Sequence, residues 1–251
     1  MSQKRIAIVT GATSGIGEAT AKKLVAEGIR VIGTGRNAAK LKQLESELGN
    51  DFYGVAGDIT ESFVIDALFE AAKTQYGQHP DIVIANAGQG LGGSVLESDL
   101  SEFQKVLHLN VTSTLSLLQK SAQLMLESSV EQYPTAAADI IIIGSVVGRN
   151  ISPFSAVYGA TKFAVHALAE GLRREVGPKG IRVSLVEPGL LLSGFQEAAG
   201  YSDAMVSTFK EKFGPLLIGE DIANTIHFML SQPPHVHISE IMVRPTRQDY
   251  P

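Results

Sequence analysis

Ile6-Ala7-Ile8-Val9-Thr10-Gly11-Ala12-Thr13-Ser14-Gly15-Ile16-Gly17 is the stretch on which the fold turns. Its first four residues are apolar without alternation, the pattern of a strand covered on both faces. From Gly15 to Glu27 the period becomes helical, with Ile16, Ala19, Leu24 and Val25 apolar. Between strand and helix lie glycines spaced G-x-x-x-G-x-G. Strand and helix patterns then alternate outward along the chain. Ile29 to Gly33 reads as a strand, Ala38 to Leu48 as a helix with Leu41, Leu44 and Leu48 on one face. Tyr53 to Ala56 is a strand and Ser62 to Tyr76 a helix. Further strands are expected at Asp81 to Ala85, Ile140 to Ile143, Ile181 to Val186 and Ile238 to Val243. Long helical patterns cover 98–127 and 154–176.

Near-continuous apolar strands separated by helices predict a parallel sheet covered on both faces. Right-handed crossovers then give a doubly wound, Rossmann-like α/β fold in three α/β/α layers. The 251 residues are enough for one such domain, and 1–251 is read as a single domain. Three segments break the alternation: glycine-rich Gly88 to Gly93, insertion-like Ser128 to Ala138, and Leu190 to Met205. The last follows a strand end, where a substrate lid over about 190–212 would sit.

Composition removes several classes of function. Apolar residues are 44% and charged residues 19%, which is incompatible with a mainly disordered chain. The absence of cysteine excludes a disulfide scaffold, a thiolate nucleophile and a thiolate-bound metal. His235-x-His237 lacks a carboxylate at ligand spacing, so no metal site is expected. A net charge of −5 argues against nucleic acid or an anionic membrane as partner. The basic start Met1-Ser2-Gln3-Lys4-Arg5 leads into an apolar run that stops at Thr10-Gly11, too short for a signal peptide. No apolar run is long enough to span a bilayer, and a soluble cytoplasmic protein is expected.

The glycine turn points to a phosphate-bearing ligand. Glycines permit the tight turn, close approach of backbone to pyrophosphate, and close helix–strand packing. The helix N-terminus adds unpaired N–H groups and a favourable dipole. In this βαβ context Gly11, Thr13, Ser14, Gly15, Ile16 and Gly17 are expected to bind a dinucleotide. An acid about 20 residues further on usually binds the ribose hydroxyls of NAD. No acidic residue lies between Glu27 and Glu45; the second strand instead ends Thr34-Gly35-Arg36-Asn37. A guanidinium there suits the 2′-phosphate of NADP(H), so NADP(H) is preferred over NAD(H), and Arg36 and Asn37 join the expected cofactor set. Asp58 follows the third strand; it could take the adenine amino group or cap the next helix. Asn86-Ala87-Gly88 ends the fourth strand with residues small enough for close backbone approach.

Tyr158-Gly159-Ala160-Thr161-Lys162 supplies the chemistry. In a helix, Tyr158 and Lys162 are i and i+4 and share a face. A phenol alone is a poor acid–base group at neutral pH, and a neighbouring ammonium lowers its pKa. Tyr158 then becomes a proton donor to a carbonyl or an acceptor from an alcohol. Ser145 lies thirteen residues earlier, just past the carboxyl end of the Ile140–Ile143 strand, where parallel sheets bind ligands.

With these residues in place the chain resembles the short-chain dehydrogenase/reductase family, in its compact single-domain branch. The resemblance rests on Thr10-Gly11-x3-Gly15-Ile16-Gly17, Asp58, Asn86-Ala87-Gly88, Asn110, Ser145, Tyr158-x3-Lys162 and Pro188-Gly189, in family order over nearly the whole chain. It implies an NAD(P)(H)-dependent carbonyl reductase or alcohol dehydrogenase acting on CH–OH groups, and a homo-oligomer, often a tetramer. It assigns proton transfer to Tyr158, ribose binding and pKa control to Lys162, and a hydrogen bond to the substrate oxygen to Ser145. Asn110 would hold a water feeding protons to Lys162; locally, a polar residue bonding in a helix kink reads the same way. Pro188 and Gly189 would shape the turn over the nicotinamide, with Ile59 and Leu191 flanking the cofactor. Where the family often has Thr for the cofactor amide, this chain has Ser193, which keeps the hydroxyl. The common Asp-Gly-Gly terminus is replaced by Glu240-Ile241-Met242-Val243-Arg244-Pro245-Thr246. That ending, with Thr34-Gly35-Arg36, is similar to the NADP-dependent 3-hydroxy acid (serine-type) dehydrogenases and clavulanate-dehydrogenase-like reductases.

Leu190, Leu191, Leu192, Phe195 and Met205 make the expected lid apolar, which suits a small-molecule substrate with an apolar portion. Arg149 receives no role, and His108 and His166 read as ordinary core or surface histidines. Ala156, Ala160, Ala164, Ala167 and Gly171 recur at spacings of 4, 4, 3 and 4. Such a smooth stripe allows close helix approach, so a homo-oligomer, dimer or tetramer, is expected through it; the alternative is packing on the protomer's own sheet. A catalytically silent dinucleotide-binding regulator is the competing reading of the whole chain.

Overall fold

The computed structural model describes residues 4–152, 155–195 and 199–250. Met1 to Gln3 of the basic start, Phe154 in the expected helical pattern and 196–198 of the expected lid lie outside the described residues. Strands β1 (Ile6–Thr10), β2 (Arg30–Gly35), β3 (Phe52–Ala56), β4 (Ile82–Ala85), β5 (Ala138–Ile143), β6 (Ile181–Pro188) and β7 (Glu240–Val243) form one sheet in the order 3-2-1-4-5-6-7. Every neighbouring pair is parallel. Helices follow as α1 (Gly15–Ala26), α2 (Ala38–Leu48), α3 (Ser62–Tyr76), α4 (Leu100–Leu107), α5 (Ser113–Ser128), α6 (Ala156–Val176), α7 (Asp203–Phe213) and α8 (Gly219–Leu230). Strand order reverses between β1 and β4, and the carboxyl ends there splay apart into the crevice where this fold binds ligands.

The unbroken apolar strands are explained by what covers them. Ile6, Ile8, Ile140 and Ile142 pack against α3, α5 and α6 on one face. Ala7, Val9, Ile141 and Ile143 pack against α1, α2 and α8 on the other. Each fully buried Ile or Leu contributes roughly 1.5–3 kcal/mol relative to exposure. At the amino ends of the strands, buried Arg182 donates twice to Asp139 at 2.7 and 3.0 Å, and Arg5 reaches Asp139 and Asp81 at 2.7 Å each. Polar bonding is thus concentrated at the closed end of the sheet.

Two expectations are corrected. The pattern over 98–127 is not one helix. Asp99 caps α4 through the N–H groups of Ser101 and Glu102, and a five-residue π turn, His108–Thr112, precedes α5. The last strand begins at Glu240 rather than Ile238. Upstream of it, His237 turns its ring onto the Val183 carbonyl at 2.9 Å, and Ile238 packs against the sheet's core outside the ladder. Arg149 ties β6 to β7, donating to Glu187 at 2.5 and 2.7 Å and to Glu240.

Candidate active site

A cleft of about 1070 Å³ opens above the carboxyl ends of the strands. One wall is the glycine turn. Gly11 (φ 67°) and Gly15 (φ 51°) adopt the left-handed backbone that a side chain resists. A Cβ on Gly17 would stand 2.1 Å from the Gly11 carbonyl oxygen, so α1 can seat against the turn only without one. Ser14 occupies the N-cap of α1 but makes no capping bond with its hydroxyl. The first N–H groups of α1 are therefore left for water or a ligand. Gly11, Thr13, Ser14, Gly15 and Ile16 line the cleft, whereas Gly17 is placed behind them. This is a cradle with the form and polarity a pyrophosphate requires.

At the far end, Arg36 is exposed on the rim, with no carboxylate at ion-pair distance among the described residues. Asp58 lines the cleft; its carboxylate is held below the ordinary range, first by the Thr60 N–H at 3.0 Å and further by the Thr60 hydroxyl at 2.8 Å and the Arg36 charge, while burial opposes. Glu61, not Asp58, holds the N-cap position of α3. Asn37 stands apart from the cleft lining: its side chain accepts the Lys40 N–H at 3.0 Å, capping α2. Asn86 works as a brace. Its amide donates to the Thr10 carbonyl at 2.8 Å, and the N–H groups of Asn86 and Ala87 donate to Thr10 Oγ1 at 3.0 Å. Asn86, Ala87, Gly88 and Ile59 all face the cleft.

The structure brings Ser145, Tyr158 and Lys162 to one end of this cleft. Tyr158 and Lys162 are each 7% exposed, one turn apart on α6. The Ser145 side chain lies close enough to the Tyr158 hydroxyl to favour its ionised form. Lys162 Nζ donates to the Ile143 carbonyl at 2.8 Å and lies 5.9 Å from the Tyr158 ring centroid. The electrostatics differ from expectation. Burial dominates and holds the Tyr158 phenol above its ordinary value, with Ser145 pulling the other way. Burial likewise brings Lys162 down to about 8. Desolvation outweighs the cation here, because the ammonium is turned to a carbonyl and is itself disfavoured.

Asn110 lies beside this group rather than in the cleft lining. It sits in the π turn, 2% exposed. Its amide donates to the Gln89 carbonyl at 2.9 Å and to Thr161 Oγ1 at 3.1 Å, and its oxygen accepts the Gln89 N–H at 2.9 Å. Both amide hydrogens are spent on protein, and the side chain does not line the cleft. It bolts the π turn to α6 and to the loop after β4. Pro188, Gly189, Leu191 and Ser193 line the cleft above β6. The Gly189 N–H donates to the Val243 carbonyl at 2.7 Å, and Ser193 Oγ accepts the Phe195 N–H at 3.2 Å.

Three features escaped the sequence reading. Phe195 packs 5.5 Å from Tyr158, ring to ring, and Tyr201, Phe209 and Phe213 stack in series at 6.2 and 6.3 Å to make an aromatic wall. Gln248, near the chain end and 6% exposed, accepts the Leu190 N–H at 2.8 Å and lines the cleft. No local pattern marks such a residue. His166 Nε2 accepts the Ser145 N–H at 3.3 Å. Its signal was present: 158, 162 and 166 are successive turns of one helical face.

The family model described as short chain dehydrogenase matches residues 5–202. An uncharacterized oxidoreductase of Staphylococcus epidermidis is 32% identical over 97% of this chain and 98% of that protein. The closed form of a serine dehydrogenase complexed with NADP+ superposes with a TM-score of 0.87 at 27% identity, covering 98% of this chain and 96% of that one. The 3-ketoacyl-(acyl-carrier-protein) reductase of Brucella melitensis complexed with NADH gives 0.88 at 27% identity over 98% and 99%.

Proposed function

The chain belongs to the short-chain dehydrogenase family of oxidoreductases, and from that premise we propose that it is an NADP(H)-dependent enzyme interconverting a carbonyl (ketone, keto ester or keto acid) and a secondary alcohol. The observation that carries the reading is the convergence of Ser145, Tyr158 and Lys162 at one end of a cleft whose other end is the glycine turn and Arg36. The dinucleotide, when bound, supplies or accepts the hydride at its nicotinamide ring. The residues do the rest. The turn from Gly11 to Gly17 takes the pyrophosphate, Arg36 the 2′-phosphate, and Asp58 and Ile59 the adenine. Asn86-Ala87-Gly88, Pro188, Gly189, Leu191 and Ser193 flank the nicotinamide end, and Lys162 reaches the ribose. A phenol kept neutral by burial holds a proton ready for the carbonyl oxygen, and Ser145 donates to that same oxygen as charge develops on it. The aromatic wall suits a substrate with an apolar portion.

Preference for NADP(H) is supported by the missing acid at the end of β2 and by Arg36 having no carboxylate at ion-pair distance among the described residues. Serine dehydrogenase binds NADP+ and the Brucella reductase NADH, so NAD(H) is expected as a weaker cofactor. Arg36→Ala is expected to weaken NADPH binding by roughly 10- to 100-fold, the worth of a charge-assisted bond, and leave NADH binding within about twofold. Equal losses for both would remove the preference. The enzyme is further read as a cytoplasmic homo-oligomer, dimer or tetramer; no helix among the described residues is long and apolar enough to cross a membrane.

The deciding experiment follows NADPH absorbance against β-keto esters, keto acids, aryl ketones and cyclic ketones. Tyr158→Phe is expected to lower kcat by about a thousandfold, within the usual worth of a general acid, with NADPH Kd unchanged. Wild-type kcat in that variant overturns the assignment. Tight NADPH binding without turnover on any carbonyl favours the silent regulator.

A further inference from the structure

Three successive turns of α6 address the end of β5. Tyr158 lies beside the Ser145 side chain, Lys162 donates to the Ile143 carbonyl, and His166 Nε2 accepts the Ser145 N–H at 3.3 Å. Only the third contact has no place in the chemistry above. The imidazole sits in a space the sequence leaves for it. A Cβ on Gly144 would lie 2.4 Å from Nε2, and one on Gly148 would lie 2.4 Å from both Cε1 and Nε2. These glycines bracket Ser145-Val146-Val147, the turn that carries the catalytic hydroxyl. The turn closes over the ring through the Gly148 N–H, which donates to the Ser145 carbonyl at 2.9 Å.

We propose that His166 is a positioning residue for Ser145: its neutral ring, by accepting the Ser145 N–H, fixes the turn so that Ser145 Oγ and Tyr158 Oη meet the same substrate oxygen. The inference rests on the reading of Ser145 as the donor to that oxygen. Acceptance at Nε2 requires a bare nitrogen there and the proton on Nδ1. A protonated ring would set N–H against N–H and release the turn. The surroundings favour the neutral ring. Burial is the largest influence; Lys162 on α6 and Arg149 beyond the turn also oppose protonation, while Glu187 of β6 and Glu240 of β7 favour it, and the balance lies below the ordinary 6.5. In the reductive direction Tyr158 acts protonated, so an acid-side loss of kcat belongs to His166.

The test reads kcat from pH 4.5 to 8 with an accepted ketone and NADPH. The wild type is expected to lose kcat through one protonation below pH 6.5. His166→Leu should lose about 10- to 100-fold in kcat at pH 7, comparable to displacing one hydrogen-bond donor in a transition-state site, with NADPH Kd unchanged. His166→Gln, which returns an acceptor near the Nε2 position without a titrating ring, should recover most of that loss and flatten the acid limb. An acid limb that persists in His166→Gln overturns the proposal, as does a wild-type rate in His166→Leu while Ser145→Ala is inactive. Wild-type rate in Ser145→Ala instead overturns the reading of the site. If the variants fail to fold, 15N NMR of the wild-type imidazole decides. The Nδ1–H tautomer with a pKa under 6.5 supports positioning, and the Nε2–H tautomer ends it.

Discussion

Lys162 holds its ammonium where charge is disfavoured: 7% exposed, bonded to a single carbonyl, and brought by burial from 10.5 to about 8. In the unfolded chain the amine keeps its ordinary value. Between about pH 8 and 10.5 the unfolded chain therefore binds a proton that the folded one does not, and stability rises with pH. A shift of this size is worth roughly 3 kcal/mol, all of it a cost at neutral pH. Tyr158 acts in the opposite sense, but only above pH 10, where the unfolded phenol ionises and the buried one does not. We expect the urea midpoint of the cofactor-free protein to climb from pH 8 to 10, and Lys162→Met to remove that climb. A wild type and variant whose midpoints run parallel would mean that the amine is charged and solvated. The site thus keeps a group the fold would be more stable without, as functional sites commonly do.

At the scale of elements, the π turn is where fold and site are joined. Asn110 supplies three bonds there, to both backbone groups of Gln89 and to Thr161, which lies between Tyr158 and Lys162 in sequence. Asn110→Leu keeps the branched outline, is bulkier, and returns none of them. The expected cost is roughly 2–4 kcal/mol in chemical denaturation, with a fall in kcat as α6 loosens. A loss under about 0.5 kcal/mol would show that water replaces the amide. This element also marks the limit of what could be read beforehand. The segment over 98–127 reads as one helix because α4, the π turn and α5 follow one another without a break and no glycine or proline marks the junction. The boundaries of α2 and α3 were readable from their helical period; in the structure Asn37 caps the one and Gly77 ends the other. Tyr158 and Lys162 were legible from i, i+4 spacing together with Ser145 thirteen residues earlier at a strand's carboxyl end. That burial would outweigh their mutual influence was not, since it depends on Phe195 and on how deep α6 lies.

For the whole molecule, the two ends of the sheet are built differently. Arg5, Asp81, Asp139 and Arg182 lock the amino ends of β1, β4, β5 and β6, while the carboxyl ends are left open for a ligand. The helix that serves the open end is two-sided. Its inner face carries Tyr158, Lys162, Val165 and Ala169, all buried. Its outer face carries Ala160, Ala167 and Gly171, exposed, with Phe163 at 41% exposure beside them. Packing on the protomer's own sheet therefore does not account for the small-residue stripe. A smooth exposed face with one projecting ring suits the same helix of a second copy, related by a twofold axis. If α6 is paired this way, assembly and catalysis share one element, and stiffening its outside steadies Tyr158 and Lys162 inside. Ala167→Arg, which places a long charged side chain on that face, is expected to reduce the solution mass toward the 26.7 kDa of one chain and to lower both Tm and kcat. Light scattering at assay concentration checks it. A wild-type mass already equal to one chain would remove the assembly, and a multimeric Ala167→Arg would move the interface to another face.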